Sequence, residues 1–198
     1  HSGFLCLGCH IGEPTRGWLA GYVDPSQAVM REVGAALAAA TGSALEAAPR
    51  GIDGCSIPTY ALPLRNLALG FARVASGQGL PGAHAAAARR LRQAIARQPF
   101  MVAGTGRFDT RVMQQLGERV FCKVGAEGVH CAALPELGLG VAIKMDDGNT
   151  SRACEVALAG VLQRLLGDAD QAFLQPLADV TLRNWNGRVV GQLRASAT

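Results

Sequence analysis

The sequence has no long hydrophobic run and few aromatic residues. Aromatic side chains make up 5% of the 198 residues, and they are not interleaved with the basic residues, which are densest in Arg89-Arg90-Leu91-Arg92. Despite a net charge of +4, this pattern disfavours nucleic acid as a partner. No stretch approaches the roughly 18 consecutive apolar residues that span a bilayer, and no secretion signal is recognisable. We therefore expect a cytoplasmic protein with no membrane partner.

Dense cysteine pairing and nucleotide-binding fingerprints are also missing. The six cysteines are spread along a chain of ordinary domain size, so free thiols are expected rather than a disulfide scaffold. The glycines at 104 and 106 belong to neither a complete dinucleotide fingerprint nor a phosphate-binding loop. These absences leave a small-molecule enzyme or a binding module as the function classes to weigh.

The hydrophobic period changes once along the chain. Helical spacing predicts helices over residues 2–11, 26–41, 62–75, 83–98 and 108–116, with loops over 17–25, 44–51 and 100–107. Alternating spacing then predicts an antiparallel meander over 120–125, 128–134 and 138–145, followed by a helix over 150–166 and a hairpin around Asn186-Gly187. Helices followed by strands indicate an α+β fold.

We expect one domain over residues 1–198, with a helical lobe over about 1–118 and a sheet with a packing helix over about 119–198. A parallel, doubly wound sheet is disfavoured because the turns between the strands are short. The arrangement is similar to the helical lobe and sheet of serine β-lactamases and penicillin-binding proteins.

A turn carrying a carboxylate and a thiol follows the second predicted helix. Asp53-Gly54-Cys55-Ser56 places both groups before Pro58. A thiolate here is able to ligate a metal or contact a substrate, and Asp53 is able to bind an amine. The alternative is a structural turn around a buried cysteine.

Two further motifs carry cations. Gly104-Thr105-Gly106-Arg107 resembles an anion-binding loop in which Arg107 holds a carboxylate. The alternative is a surface ion pair between Arg107 and Asp109. Asp109 is also a candidate cap for the helix over residues 108–116. Lys123-Val124-Gly125 is similar to the Lys-Thr-Gly strand of β-lactamase-like enzymes, where the lysine faces the cleft. An edge-strand lysine that discourages aggregation is the alternative for Lys123.

Cys6-Leu7-Gly8-Cys9-His10 has the spacing of a covalent c-type haem site. Its alternative is a buried face of the first helix, on which Cys6 and Cys9 act as small apolar residues. Zinc binding through this pair lacks the second pair of ligands that such sites need.

Several motifs in order carry a resemblance to a known family. They are His1-Ser2-Gly3-Phe4-Leu5, Tyr22-Val23-Asp24-Pro25, the segment 53–64, the segment 103–110, Lys123-Val124-Gly125-Ala126-Glu127-Gly128 and the segment 143–148. Together they resemble the L-asparaginase II family of the inducible Rhizobium etli type over nearly the whole chain. The resemblance implies a serine β-lactamase-like fold, a homodimer, and hydrolysis of L-asparagine to L-aspartate and ammonia.

The resemblance also implies roles for individual residues. In the family, a Ser-x-x-Lys pair supplies the nucleophile, a second serine pairs with a distant lysine, and two cysteines and a lysine hold zinc. Carried over by motif, Cys55 matches a zinc ligand, Asp53 the acidic residue of the substrate pocket, and Lys123 the distant catalytic lysine. Arg107 is assigned the substrate carboxylate from its chemistry alone.

The remaining family motifs lie before the position that matches His1. These are the Ser-x-x-Lys segment, the second serine and the Cys-Ser-Gly-Lys run with the other two zinc ligands. We therefore expect the chain to be N-terminally incomplete, with exposed apolar area, and inactive unless a separate N-terminal fragment supplies the nucleophile. The alternative function is a noncatalytic β-lactamase-like module that binds a small zwitterion.

Overall fold

The computed structural model describes residues 1–12 and 18–196. Its first part is helical, with one short hairpin: α1 (Ser2–Ile11), α2 (Trp18–Gly21), α3 (Ala28–Thr41), β1 (Arg50–Ile52), β2 (Pro58–Tyr60), α4 (Leu64–Ser76), α5 (Gly82–Arg97), α6 (Phe100–Ala103) and α7 (Phe108–Leu116). The second part holds β3 (Phe121–Val124), β4 (Val129–Leu134), β5 (Leu139–Lys144), α8 (Ala153–Leu165), α9 (Gln171–Ala178), β6 (Asp179–Arg183) and β7 (Val189–Arg194). The predicted α+β class is confirmed, and the closer likeness to β-lactamases stays a prediction.

Glycines in the left-handed region end several of the predicted helices. Gly12 with φ of 73° follows α1, and Gly42 with φ of 68° follows α3. Only glycine adopts this conformation without strain, and its amide closes the last helical turn. The start of α3 was predicted two residues too early, because the Ser26 amide and hydroxyl both donate to the Asp24 carboxylate in a turn before the helix.

Three helices were not predicted. Residues 18–21 belong to the predicted loop 17–25 and residues 100–103 to the predicted loop 100–107, but they form α2 and α6. Residue 17 of the first loop lies outside the described residues. Helix α9 contains Pro176, which usually disfavours a helix interior. Its buried residues Leu174 and Leu177 belong to the main core, so burial against α8 outweighs the intrinsic preference of this segment.

The predicted meander forms the three-stranded antiparallel sheet β3-β4-β5. Cys122 pairs with Ala132 and Ala132 with Val141, so these three side chains lie on one face. Residues 130–134 of the central strand β4 are all buried, which shows that both faces are covered. The face that carries Ala132 is called the α8 face, and the opposite face, which carries Cys131 and Gly140, is called the α4 face.

Helix α4 packs closely against β5 on the α4 face. A Cβ atom at Gly140 would lie within 3.0 Å of backbone atoms of Ala68 and Ala72, so the absence of a side chain permits this approach. Phe71 of α4 stacks on Phe121 of β3 with ring centroids 5.7 Å apart. Small residues at the crossing and one aromatic pair beside it therefore fix α4 on the sheet.

The main hydrophobic core lies on the α8 face. It joins residues of α7, α8, α9 and the sheet, among them Val112, Met113, Leu134, Leu158, Leu162 and Leu174. The hairpin β6-β7 packs on the outer side of α8, where Gly160 accommodates Ala195. Among residues 1–12 and 18–196, no helix has the length and apolar character needed to cross a bilayer.

Candidate functional site

Asp53 and Cys55 lie together at the tip of the β1-β2 hairpin. The Cys55 thiol donates to Asp53 Oδ2 at 3.3 Å, and the Gly54 amide donates to Asp53 Oδ1 at 2.8 Å. The Ser56 amide donates to the Asp53 carbonyl, and Ser56 has φ of 72°, which tightens the turn. Both functional side chains are exposed, so the alternative of a buried cysteine at Cys55 is wrong. The turn offers a thiol and a carboxylate to solvent on one side.

This pair of donors is chemically suited to zinc but is incomplete. Zinc sites in proteins use sulfur, nitrogen and carboxylate ligands and generally need three or four from the protein. The only group of three or more candidate ligands within the described ranges is Asp109, Cys122 and His130, which does not include Cys55. Any zinc ion held by Cys55 would therefore need ligands beyond those gathered at this turn.

Lys123 lies on the edge strand β3, with its side chain exposed on the α4 face. Its ammonium group donates to the carbonyl of Val124 at 2.6 Å. Arg50 and Tyr60, at the base of the β1-β2 hairpin, line a cavity with residues of α3, and α3 packs against α4, the helix that covers the α4 face. No hydrogen bond or ion pair between described residues joins Lys123 to Asp53 or Cys55.

Arg107 lies on the other side of the sheet. It precedes α7 and lines a cavity that is bordered by the start of α8 and by the β6-β7 hairpin. The structure therefore does not bring Arg107 and Lys123 to one site. The alternative of a surface pair between Arg107 and Asp109 is wrong, because Asp109 is 2% exposed and bonds elsewhere.

Asp109 forms a buried pair with His130, which the sequence did not reveal. His130 Nε2 donates to Asp109 Oδ1 at 2.6 Å, and the Val124 amide donates to Asp109 Oδ2 at 2.8 Å. Asp109 does not cap α7 as predicted, because its carboxylate is committed to these two partners. A histidine within the otherwise apolar strand of residues 129–134 was the available signal, since a buried polar group requires a partner.

The Asp109 carboxylate joins α7 to the strand that carries Lys123. The Gly125 amide bonds to Val129 of β4, so the amide of the preceding residue Val124 faces the free edge of β3. Burial raises the pKa of Asp109. This effect is outweighed by the hydrogen bonds that the carboxylate accepts from His130 and Val124 and by the charges of His130 and Lys123. The pKa of Asp109 therefore lies below its ordinary value. The ionised carboxylate therefore stabilises the segment around Lys123.

The lowered pKa of Asp109 predicts a loss of stability in acid. The pKa of Asp109 is lower in the folded state than in the unfolded state. Its carboxylate therefore contributes fully to the free energy of unfolding above the unfolded-state pKa of about 4, and this contribution is lost as the pH falls through the folded-state pKa. We expect Asp109→Asn to lower the free energy of unfolding at pH 7 by about 3 kcal/mol. We also expect a shallower decline in stability below about pH 4 than in the wild type.

Urea unfolding between pH 3 and pH 7 measures both effects. Asp168→Asn is the matched control, because it removes a carboxylate that is exposed. We expect the control to follow the wild-type curve closely at neutral pH. Equal acid sensitivity in the wild type and Asp109→Asn would contradict the assigned role of Asp109.

The buried ligands around Asp109 form a hydrogen-bonded cluster. The donor atoms of Asp109, Cys122 and His130 lie within 4.8 Å of one another, which is close enough for a shared metal ion. However, the Asp109–His130 bond already occupies two of these atoms, and burial raises the pKa of the Cys122 thiol well above its ordinary value. A protonated thiol is a poor metal ligand. His130 Nδ1 is buried without a hydrogen-bond partner among the described residues.

All six cysteines are free, as the sequence predicts, but their chemistry differs. Cys122, Cys131 and Cys154 are buried, and burial, with a smaller contribution from Cys154, raises the pKa of Cys131 to about 12. Cys6 and Cys9 are exposed on α1, as is His10, so the interpretation of this motif as a buried helix face is wrong. The haem hypothesis for this motif stays untested.

The comparison with known families covers almost the whole chain. The family model described as L-asparaginase II matches residues 1–195. No curated protein gives a significant match to the sequence. The match spans the Asp53–Cys55 turn, the Asp109–His130 pair and Lys123, and it confirms the resemblance drawn from the ordered motifs. The chain therefore belongs to the L-asparaginase II family, and it is an amidohydrolase of the asparaginase type.

Proposed function

We propose that the protein hydrolyses L-asparagine to L-aspartate and ammonia at a site on the α4 face of the sheet. The observation that supports this proposal is the family match over residues 1–195, which includes Lys123, exposed on the α4 face, and the exposed turn of Asp53 and Cys55. An ammonium group, a carboxylate and a thiol are the chemical types that binding and hydrolysis of an amino-acid amide require. The family match supplies the reaction class.

Each of these residues has a proposed role. The exposed carboxylate of Asp53 binds the substrate α-ammonium group, because its bonds to the part of the chain that the structure describes are limited to its own turn. Lys123 assists proton transfer, since its ammonium group is exposed and, among the described residues, is bonded only to the Val124 carbonyl of its own strand. Asp109 positions Lys123 through the Val124 amide.

The nucleophile in this proposal is the serine of the Ser-x-x-Lys pair that the resemblance implies, which no residue of 1–198 matches. We propose that turnover depends on this serine being supplied from outside these residues. Cys55, with Asp53 beside it, would hold zinc together with ligands from outside the turn. A bound zinc ion would supply fixed positive charge and order to this part of the site.

The proposed setting is the cytoplasm, where thiols stay reduced, and this agrees with six free cysteines. We further propose a homodimer, as the resemblance implies, and a protein that works without nucleic acid. The sparse aromatic content and scattered arginines support the last point.

Ammonia release from L-asparagine by the full-length gene product that carries this sequence tests the proposed function. We expect release from L-asparagine, and parallel assays with L-glutamine measure the side-chain preference. Binding of L-asparagine without ammonia release would instead support the noncatalytic module. A Soret band in the purified protein would support the haem hypothesis for Cys6, Cys9 and His10.

Residues 1–198 on their own provide the second arm of this experiment. We expect them to release no ammonia, because the covalent route requires the missing serine nucleophile. Full turnover by residues 1–198 alone would overturn the proposal that the nucleophile comes from outside them.

A further inference from the structure

A second cavity lies away from Lys123, on the α8 side of the sheet. Its volume is about 460 Å³, which is within the range of small-molecule sites. Three arginines, Arg107, Arg111 and Arg152, border it together with Glu155 of α8. Its remaining wall is largely apolar and includes Val156, Leu177 and Leu193. The cavity thus places concentrated charge beside an apolar wall.

The three arginine side chains are exposed. Within residues 1–12 and 18–196, the guanidinium groups of Arg107, Arg111 and Arg152 make no hydrogen bond and no ion pair. By contrast, Arg119 binds the Asp170 carboxylate through two bonds of 2.6 and 2.8 Å. Like charges around one cavity repel each other, and an anion that bridges them removes this repulsion.

Glu155 adds one negative group to the cavity. It is half-buried, and burial raises its pKa, whereas the charges of His130, Arg107 and Arg111 act in the opposite direction. These arginines are therefore near enough to interact with Glu155, yet none of them forms an ion pair with it. The carboxylate is thus available to accept hydrogen bonds from a ligand ammonium group.

We propose that this cavity binds an acidic α-amino acid. The two carboxylates of such a ligand bind the three arginines, and its ammonium group binds Glu155. The charges are complementary in sign, because the three arginines and Glu155 carry a net charge of +2 and the ligand carries a net charge of −1. L-Aspartate fits this description and is also the product of the proposed reaction, although binding here requires no turnover.

Isothermal titration calorimetry of the full-length gene product with L-aspartate tests this proposal. We expect Arg111→Ala to raise the Kd about tenfold or more, because it removes charge-assisted hydrogen bonds. Arg89→Ala is the matched control, since it removes an exposed arginine of α5 that does not line the cavity. Thermal unfolding of both variants verifies that they are folded.

Asp53→Asn distinguishes this cavity from the proposed active site. We expect this variant to retain the wild-type Kd for L-aspartate at the cavity. If Asp53→Asn abolishes binding and Arg111→Ala does not, the ligand occupies the other face and the proposal is overturned. Absence of L-aspartate binding would also overturn it. Aspartate binding by a protein that releases no ammonia would support the cavity while refuting the proposed function.

Succinate tests the role of Glu155, because it has both carboxylates but no ammonium group. We expect the wild type to bind succinate about tenfold more weakly than L-aspartate. In Glu155→Gln this preference should disappear. Equal affinity of the wild type for the two ligands would overturn the assignment of an amino acid as the ligand.

Discussion

Lys123→Met is expected to lower kcat for L-asparagine by about 10³-fold in the full-length gene product. Methionine keeps the length and apolar stem of the side chain but removes the ammonium group that the proposed reaction uses. The fold should persist, because Lys123 is exposed and its ammonium group bonds, within residues 1–12 and 18–196, only to the carbonyl of Val124. Steady-state ammonia release measures the effect, and kcat is expected to change more than KM because the proton is transferred in the chemical step.

Lys144→Met is a closely matched control for this substitution. Lys144 ends β5 on the same face of the sheet, is also exposed, and donates to the carbonyl of Met145 at 2.7 Å. The two variants therefore lose the same charge and the same kind of local bond. We expect Lys144→Met to retain nearly wild-type kcat. Equal losses in both variants, or no loss in Lys123→Met, would remove Lys123 from the proposed mechanism.

Gly140→Ala is expected to destabilise the protein by about 3 kcal/mol or more. The added Cβ atom would lie within 3.0 Å of backbone atoms of Ala68 and Ala72 in α4. Backbone atoms have no alternative rotamer, so relief requires α4 to move away from the sheet and lose buried contacts. A loss of this size is a large fraction of the 5–15 kcal/mol by which domains are typically stable.

Urea unfolding of Gly140→Ala and Gly167→Ala measures this effect against a control. A Cβ atom at Gly167 would meet nothing within 4 Å, and its φ is not in the left-handed region. We expect Gly167→Ala to change the free energy of unfolding by less than about 0.5 kcal/mol. Similar values for the two variants would mean that the close crossing of α4 and β5 does not determine stability.

The sequence predicts elements whose boundaries are set by local chemistry. Helices α1 and α7 were predicted with the observed bounds, because glycines stop the helical spacing after Ile11 and Leu116. The three central strands were predicted because alternation and glycine turns are properties of neighbouring residues. Helix α9 was missed because packing against α8 determines it, and no local pattern reports that contact.

The candidate site follows the same division between local and distant information. Asp53 and Cys55 are two residues apart, so a turn prediction was enough to place them together. Asp109 and His130 are 21 residues apart, and their pairing depends on how α7 lies beside the sheet. The separation of Arg107 from Lys123 depends on the register of β3. A shift of β3 by one residue would move the Lys123 side chain from the α4 face to the α8 face.

The covering of β4 on both faces has a consequence for the dynamics of the molecule. Residues 130–134 are buried, and β4 is hydrogen-bonded to a neighbour on each edge. Backbone amides exchange with solvent deuterium only when their bonds open, and the most enclosed strands open only with the whole molecule. The amides of β4 therefore report global unfolding, whereas those of the exposed Asp53–Cys55 turn exchange through local motion while the sheet stays intact.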